Sequence, residues 1–425
     1  MTVMKKIKEQ YNLYTYPEPI EEMQKAIDNG YIDLTDASLF WDIFFPDKTY
    51  KDNLNVFIAG CGTNQAVYLA LANPNWKIYG IDLSENSIGF VNKQIKKYNL
   101  KNLNVEMKDI FEITNKDEYD LVISTGVIHH TKDPKLALKI LSSATKKDGA
   151  LCIMVYAKYF RTGVYDLQKI FRYLGIKQDA DGIKFVKNYI ENILPDDHIA
   201  KKFYKSTPSD IDTAIIDTWL NPQDIAYDAN DLKELIRGTG AYFQNWLDNL
   251  FCYPQAHFDD LKNDIDLSLL DHLDPIDTMD FTQSTMLQAK KHTFILRKKK
   301  ELEFKWSSIS EIKKKTRVKN SSFVKAAEKG DLSQNYGGQV FYQRFQGARC
   351  PKFSAKEGIV WSAIIQGVKN NVGSSFNDVL LLSNKIARDN NLNISFDNDE
   401  IIRILHWMWK LSIVTFSESE DKDNG

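Results

Sequence analysis

Val56-Phe57-Ile58-Ala59-Gly60-Cys61-Gly62-Thr63-Asn64-Gln65 is the stretch whose reading decides the fold. Four apolar residues run without a break into Gly-Cys-Gly. The segment Gln65 to Ala72 that follows suits a helix. A buried strand, a tight turn and a helix therefore succeed one another. Glycine allows the turn a positive φ and lets a ligand come close to the backbone. The helix start beyond it presents unpaired N–H groups to an anion or polar ligand. Cys61 fits the turn because its side chain is small.

Working outward, Lys77 to Asp82 reads as a second strand, and Asp82 stands 22 residues beyond Gly60. An acid about 20 residues on, at a strand tip, is placed to accept hydrogen bonds from ribose hydroxyls. A helix N-cap ahead of Leu83-Ser84-Glu85 is the structural alternative. Asn104 to Asp109 gives a third strand end, followed by Ile110. Tyr119 to Gly126 gives a fourth and runs into Val127-Ile128-His129-His130. A helix from Leu136 to Thr145 leads to a fifth strand, Gly149 to Tyr156.

Val56 to Gly62, Asp82, Asp109 and the run from Asp120 through His130 to Asp133-Pro134 resemble the class I S-adenosylmethionine-dependent methyltransferases. The likeness spans roughly Tyr11 to Lys299. It is similar to the bacterial type with an insertion after strand five and an extra C-terminal domain. The resemblance implies an α/β fold with a seven-stranded sheet and helices on both faces; beyond it, three helical segments and a short strand suggest a small, mostly helical, winged-helix-like C-terminal domain. The resemblance also implies S-adenosyl-L-methionine as cofactor, with Gly60, Cys61 and Gly62 under its methionine part. Asp82, with Leu83 beside it, would meet the ribose. Asp109 would accept from the adenine amino group, with Ile110 against the ring. Ser124, Thr125 and Gly126 would wall the sulfonium. The family's third small residue is replaced by Asn64, followed by Gln65. Their amides would bind the methionine carboxylate, or Asn64 would tolerate a left-handed turn; the second is preferred.

The first strand, glycine turn and acid suit a nicotinamide oxidoreductase equally. A second nucleotide-binding half does not follow Gly149, however. Asp231 to Gly240 reads as a helix with a glycine stop. Tyr242 to Leu247 and His292 to Arg297 read as strands, which matches the methyltransferase ending with its last strand antiparallel. A third reading is a non-catalytic methyltransferase-like regulatory or interaction protein.

The chain has 425 residues, enough for more than one domain. We divide it into an N-terminal cap (1–50), a cofactor domain (51–300) with a lid insertion at about 158–228, and the C-terminal domain (301–425). A net charge of −2 gives no global reason to bind nucleic acid. Met1 to Gln10 is charged and followed by no apolar core, so no signal peptide is expected. No apolar stretch approaches a membrane span, and a cytoplasmic location is expected. The four cysteines show no metal-ligand spacing, and no metal is expected.

Outside the minimal fold, Tyr11, Tyr14 and Tyr16 precede Pro17, and resembling enzymes close such segments over the cofactor. Tyr14 and Tyr16 are candidates to touch substrate through their aromatic faces; a packed arm is the alternative. Phe40 to Pro46 reads as core against the sheet. In the insertion, Arg161, Tyr165, Gln223, Asp224 and Tyr227 are substrate candidates, with helix capping as the alternative for Asp224 and Asn221. In the C-terminal part, Ala355 to Val368, Phe376 to Asp389 and Asn398 to Lys410 are apolar at helical spacing. Leu411 to Phe416 could add a strand, and the basic run Lys313 to Lys319 reads as a solvated linker or face. This part suits a protein contact or a homodimer. The methyl acceptor is not readable. His130 and His129, just past strand four, are the base candidates, because a neutral imidazole accepts protons near pH 7; backbone bonding is the alternative.

Overall fold

The computed structural model describes residues 17–207, 211–247, 252–254, 267–270, 272–300, 316–320, 355–367, 373–411 and 413–418. In chain order, α1 (Met23–Asp28) and α2 (Trp41–Phe44) precede β1 (Asn55–Ala59), α3 (Gln65–Ala72), β2 (Lys77–Asp82), α4 (Glu85–Tyr98), β3 (Leu103–Met107), β4 (Tyr119–Thr125), α5 (Pro134–Ala144) and β5 (Thr145–Ala157). The insertion supplies α6 (Lys158–Tyr173), α7 (Ala180–Asn188), α8 (Ile199–Lys205) and α9 (Asp212–Trp219). Next come β6 (Ala226–Tyr227), α10 (Ala229–Ile236), β7 (Tyr242–Trp246), α11 (Pro275–Met286) and β8 (Lys291–Arg297). The last elements are β9 (Thr316–Asn320), α12 (Ala355–Gly367), β10 (Ser374–Ser375), α13 (Phe376–Asp389), α14 (Asn398–Lys410) and β11 (Val414–Glu418).

The described residues form two compact units. The first draws on the segments up to 28, 52–242 and 283–300, and the second on 29–51, 243–282 and the chain from 301 onward. The main sheet has the order β3-β2-β1-β4-β5-β8-β7, with β6 beside β5. Strands β1 to β5 are mutually parallel where they pair. Strand β8 runs antiparallel to β5, from Ala150 opposite Arg297 to Tyr156 opposite Lys291. That antiparallel strand fits the methyltransferase ending better than the nicotinamide alternative, whose second half continues the parallel sheet.

Val56 to Ala59, Leu121 to Ile123 and Ala150 to Ile153 are fully buried. Helices cover both faces of a parallel sheet, so its central strands read as continuous apolar runs rather than alternating ones. Each such large side chain contributes roughly 1.5–3 kcal/mol. Where β8 joins, the buried Arg297 donates from Nε to the Gly149 carbonyl at 2.9 Å and from its terminal nitrogen to that of Asp148 at 3.0 Å. Those bonds satisfy carbonyls at the start of β5 that would otherwise be costly to bury.

The sheet has eight strands where the sequence suggests seven. The extra one, β6, is two residues long and pairs Ala226 with Tyr156 and Tyr227 with Ala157. Two residues carry no readable period. Helix starts follow local chemistry. Ser84 caps α4, and Asp133 caps α5 with Pro134 in its first turn. Asp228 and Asp231 form a reciprocal box at α10. Asp82, Asp224 and Asn221 are therefore not helix caps: Ser84 caps α4, and Ile211 and Asp228 stand at the N-cap positions of α9 and α10.

The insertion is a helical layer with its own core, in which Phe171, Phe203 and Trp219 pack with Val164, Val186 and Ile216. Gly163 is required where α6 meets α8, because a Cβ there would lie 2.7 Å from the Ala200 nitrogen.

In the second unit, Phe40, Trp41, Ile43, Phe44 and Phe45 are buried. Strands β10, β9 and β11 form an antiparallel sheet in that order. Helices α12, α13 and α14 accompany it, at the expected spans to within a residue. Strand β9 was hidden in the basic run Lys313 to Lys319; Val318, its one apolar residue, is buried, too short an apolar signal to read. The predicted last strand is displaced to Val414–Glu418.

Candidate functional site

The C-terminal ends of β1, β2, β3 and β4 carry the turn residues singled out above, and an open α/β sheet binds ligands in that crevice. Gly60 has φ +78° and Gly62 φ +53°. A Cβ on Gly60 would stand 2.2 Å from a Val127 methyl, so only glycine fits there. A Cβ on Gly62 would meet nothing within 4 Å. One glycine is dictated by the protein interior, and the other faces open space. The Gly60 and Cys61 amides both donate to the Ile81 carbonyl, at 2.8 and 2.9 Å, which ties the turn to the end of β2. Burial, then the nearby Asp82, pushes the Cys61 thiol up; this thiol is packing, not a nucleophile.

Asp82 is half-buried. Its Oδ2 accepts from the Gly62 N–H at 2.9 Å and its Oδ1 from the Ser84 N–H at 2.8 Å. Burial raises its carboxyl, opposed by those amides and that of Leu83. Each carboxylate oxygen can accept more than one bond, so both keep capacity for ligand hydroxyls. Asp109 accepts from the Phe111 N–H at 3.0 Å, opening a short turn that buries Ile110. On β4, Ser124 is fully buried, and among the described residues its Oγ has no hydrogen-bond partner. The Thr125 hydroxyl lies 3.4 Å from Gln65 Oε1. Gly126 has φ +76° and donates its amide to the Met154 carbonyl at 3.1 Å.

Asn64 departs from expectation. Its φ of −97° and ψ of −40° are right-handed helical, because Gly60 and Gly62 take the positive-φ positions. Its side chain instead grips the segment that enters from the N-terminus. Nδ2 donates to the Glu18 carbonyl and Oδ1 accepts from the Ile20 N–H, both at 2.8 Å. Thr63 Oγ1 donates to the Pro17 carbonyl at 3.0 Å. The amide expected at a carboxylate is thus engaged by the chain itself. Tyr14 and Tyr16, just before this segment, lie outside the described residues.

A second group of polar residues is buried where the insertion meets β5. Arg161 and Asp224 pair at 3.0 Å with both side chains almost fully buried. Arg161 Nε also donates to the Tyr165 hydroxyl at 3.3 Å, and its guanidinium lies 3.7 Å from the Tyr156 ring centroid. Gln168 donates to the Thr218 carbonyl at 2.8 Å and to Asp224 at 3.3 Å. Burial pushes the Asp224 carboxyl up and the guanidinium opposes it. Such a pair holds only because every charge has partners. Tyr227 is buried on β6, and its carbonyl accepts from His292 Nε2 at 3.0 Å.

Both histidines join this group. His129 is fully buried, 4.1 Å from the His130 ring and 4.2 Å from that of Tyr156 between centroids. Among the described residues neither of its ring nitrogens has a hydrogen-bond partner. Burial, then His130 and Arg161, hold it well below the usual imidazole range, so it is neutral. His130 Nδ1 lies 2.8 Å from the Gln223 carbonyl. Gln223 Nε2 donates in return to the Thr131 carbonyl at 2.8 Å.

The structure thus brings Arg161, Tyr165, Gln223 and Asp224 together with His129 and His130. Tyr156, Gln168, Asp217 and Asn221 belong to the same network and were missed. A signal existed: Arg161, Tyr165 and Gln168 are spaced four and seven apart, a polar stripe on one face of the helix beside the apolar Val164, Leu167 and Phe171.

Residues 50–169 match the family model of a methyltransferase domain. An uncharacterized protein of Synechococcus is 24% identical over 57% of this chain and 60% of its own. A probable (S)-tetrahydroprotoberberine N-methyltransferase of Papaver bracteatum is 30% identical over 24% of this chain and 29% of its own. The chain thus spans less than two thirds of either relative. The solved structure of PKMT2 from Rickettsia typhi superposes over 96% of this chain and 76% of that one, with a TM-score of 0.52 and 13% identity. It has also been solved in complex with AdoHcy. The fold is that of a class I, Rossmann-like methyltransferase with a C-terminal extension.

Proposed function

We propose that this protein is an S-adenosylmethionine-dependent methyltransferase that transfers a methyl group to an oxygen or nitrogen of a small molecule or a protein side chain, in the cytoplasm. The observation that carries the reading is the Asp82 carboxylate, held by the Gly62 and Ser84 amides beside a glycine that faces open space. A half-buried acid with spare acceptor capacity fits a ribose diol. The AdoHcy-bound PKMT2 of the same fold supports this choice of cofactor.

Bound there, S-adenosylmethionine supplies a methyl group already activated on a sulfonium. This chain's residues must then orient the acceptor and exclude water, and positioning of that kind contributes roughly 7–11 kcal/mol. Gly60 and Gly62 let the backbone approach the cofactor, Asp82 holds its ribose, and Asp109 and Ile110 receive the adenine. In our reading His130 is the base: Nδ1–H is donated to the Gln223 carbonyl, which makes Nε2 the nitrogen that accepts a proton. A base so placed contributes about 10²–10⁴-fold where the acceptor must lose a proton. Arg161, Tyr165 and Asp224 shape the acceptor side.

Titration calorimetry with S-adenosylhomocysteine tests the cofactor. We expect binding, weakened about 10- to 100-fold in Asp82→Ala, as fits the loss of charged hydrogen bonds. Equal affinity in the variant would remove Asp82 from the site. Labelled methyl transfer to a panel of amines, phenols and peptides tests turnover. Tight binding without transfer to any acceptor would favour a regulatory methyltransferase-like protein instead.

A further inference from the structure

We propose that Asp217 and Asn221 are positioning residues that set which ring nitrogen of His130 carries the proton. The inference rests on, and deepens, the reading of His130 as the base.

The bonds form one path. The Tyr156 hydroxyl donates to Asp217 Oδ2 at 2.9 Å. Asn221 Nδ2 lies 3.4 Å from Asp217 Oδ1, and Asn221 Oδ1 accepts from the Gln223 N–H at 3.0 Å. The Gln223 side chain donates to the Thr131 carbonyl, and the Gln223 carbonyl receives His130 Nδ1. A carbonyl only accepts, so the proton on His130 sits on Nδ1. In the neutral ring the lone pair is then on Nε2. The tautomer of a histidine is set by the partner of its other nitrogen.

The path starts from fixed points. Asp217 lies in the last turns of α9, between Ile216 and Trp219, both of which belong to the insertion core. Asp217 and Asn221 are themselves buried. A buried carboxylate is costly unless hydrogen-bonded, and Tyr156 and Asn221 satisfy this one. Asn221 holds the Gln223 N–H and the Thr131 carbonyl holds the Gln223 side chain, so the residue whose carbonyl faces His130 is anchored both through its backbone N–H and through its side chain. The insertion thereby reaches the loop after β4 through hydrogen bonds, and its folding decides the protonation pattern of a residue outside it.

The test is ¹⁵N histidine NMR on the full chain without cofactor, with His130→Gln used to assign the resonance. In the parent protein, Nδ1 of His130 should resonate as a protonated, pyrrole-type nitrogen and Nε2 as a pyridine-type one. Asn221→Ala should give a mixture of tautomers, and so should Asp217→Asn, which keeps the shape but not both acceptors. A purely structural role would lower the melting temperature and leave the tautomer alone. Folded Asn221→Ala and Asp217→Asn proteins with unchanged His130 resonances would overturn the proposal. Turnover separates it from the reading beneath it. The expected kcat loss in Asn221→Ala is about 10-fold or more, within the span of a general base, with KM for S-adenosylmethionine unchanged. A mixed tautomer with unchanged kcat would uphold the relay and remove His130 as the base. An unchanged tautomer in a series where His130→Ala is inactive would do the reverse.

Discussion

The turn after β1 and the network beneath the insertion are both polar, and they are built on opposite principles. The turn works through backbone. Its glycines, its amides and one acid lie within about 25 residues of one another, and its polar groups point where a ligand would lie. The network works through side chains drawn from β5, α6, α9 and the chain after α9, up to 70 residues apart. Its groups largely satisfy one another. In the function we propose, the first is a receptor surface and the second a frame that holds the residues beside it. A ligand should therefore respond to changes in the turn, and folding to changes in the frame.

Arg161→Ala should break the frame most severely. It leaves Asp224 buried without its guanidinium, at a cost of about 3–5 kcal/mol, read by denaturant unfolding. Arg161→Met with Asp224→Leu should restore much of that loss, since paired removal of a buried ion pair is often neutral. If the double variant is as weak as the single one, the frame is not an electrostatic unit.

Gly60→Ala attacks the turn. Its φ of +78° and the approach to Val127 predict strain of about 1–3 kcal/mol, with a clear loss of cofactor affinity in calorimetry. Gly62→Ala shares the unfavourable φ but has open space, so it should fold better while still blocking the ligand. Equal folding in the two variants would undo the distinction between the inward and the outward glycine.

The smallest effect concerns pH. His292, buried under the Tyr227 carbonyl, has its imidazole held down to about 4 by burial. The unfolded chain binds this proton near pH 6.5, whereas the folded one resists until about 4. Stability should thus be intact above 6.5 and fall as pH drops toward 4, by about 1–2 kcal/mol between pH 7 and 5. His292→Gln should flatten that part of the stability curve. Because His129 is held down in the same direction, some slope should survive; an unchanged slope would show that His292 is not the group responsible.

How much was legible follows the same division. The strands and helices from β1 to β5 were readable because buried parallel strands are apolar runs and helices keep their period, although β5 begins at Thr145 rather than Gly149. Gly60, Gly62 and Asp82 were readable because the turn is local. Asn64 was misjudged, since what it holds, Glu18 and Ile20, lies 46 and 44 residues away. The bonds of Arg161 to Asp224 and of His130 to Gln223 were equally out of reach, as were the roles of Asp217 and Asn221. Strands β6 and β9 escaped because neither has enough apolar residues to show alternation.

By itself the sequence determined the order of strands and helices from β1 to β5, the glycine turn and the acid at the end of β2. Each depends on φ preferences, apolar period or spacing along a few turns of chain. The tertiary structure alone decided that Ala226 and Tyr227 add a strand beside β5. It also decided that Asn64 clamps the entering segment, and that the insertion reaches His130 through Gln223. Those outcomes depend on which distant backbone and side-chain groups meet once apolar faces are buried. A buried donor must find an acceptor wherever the fold provides one, and sequence spacing does not record where that is.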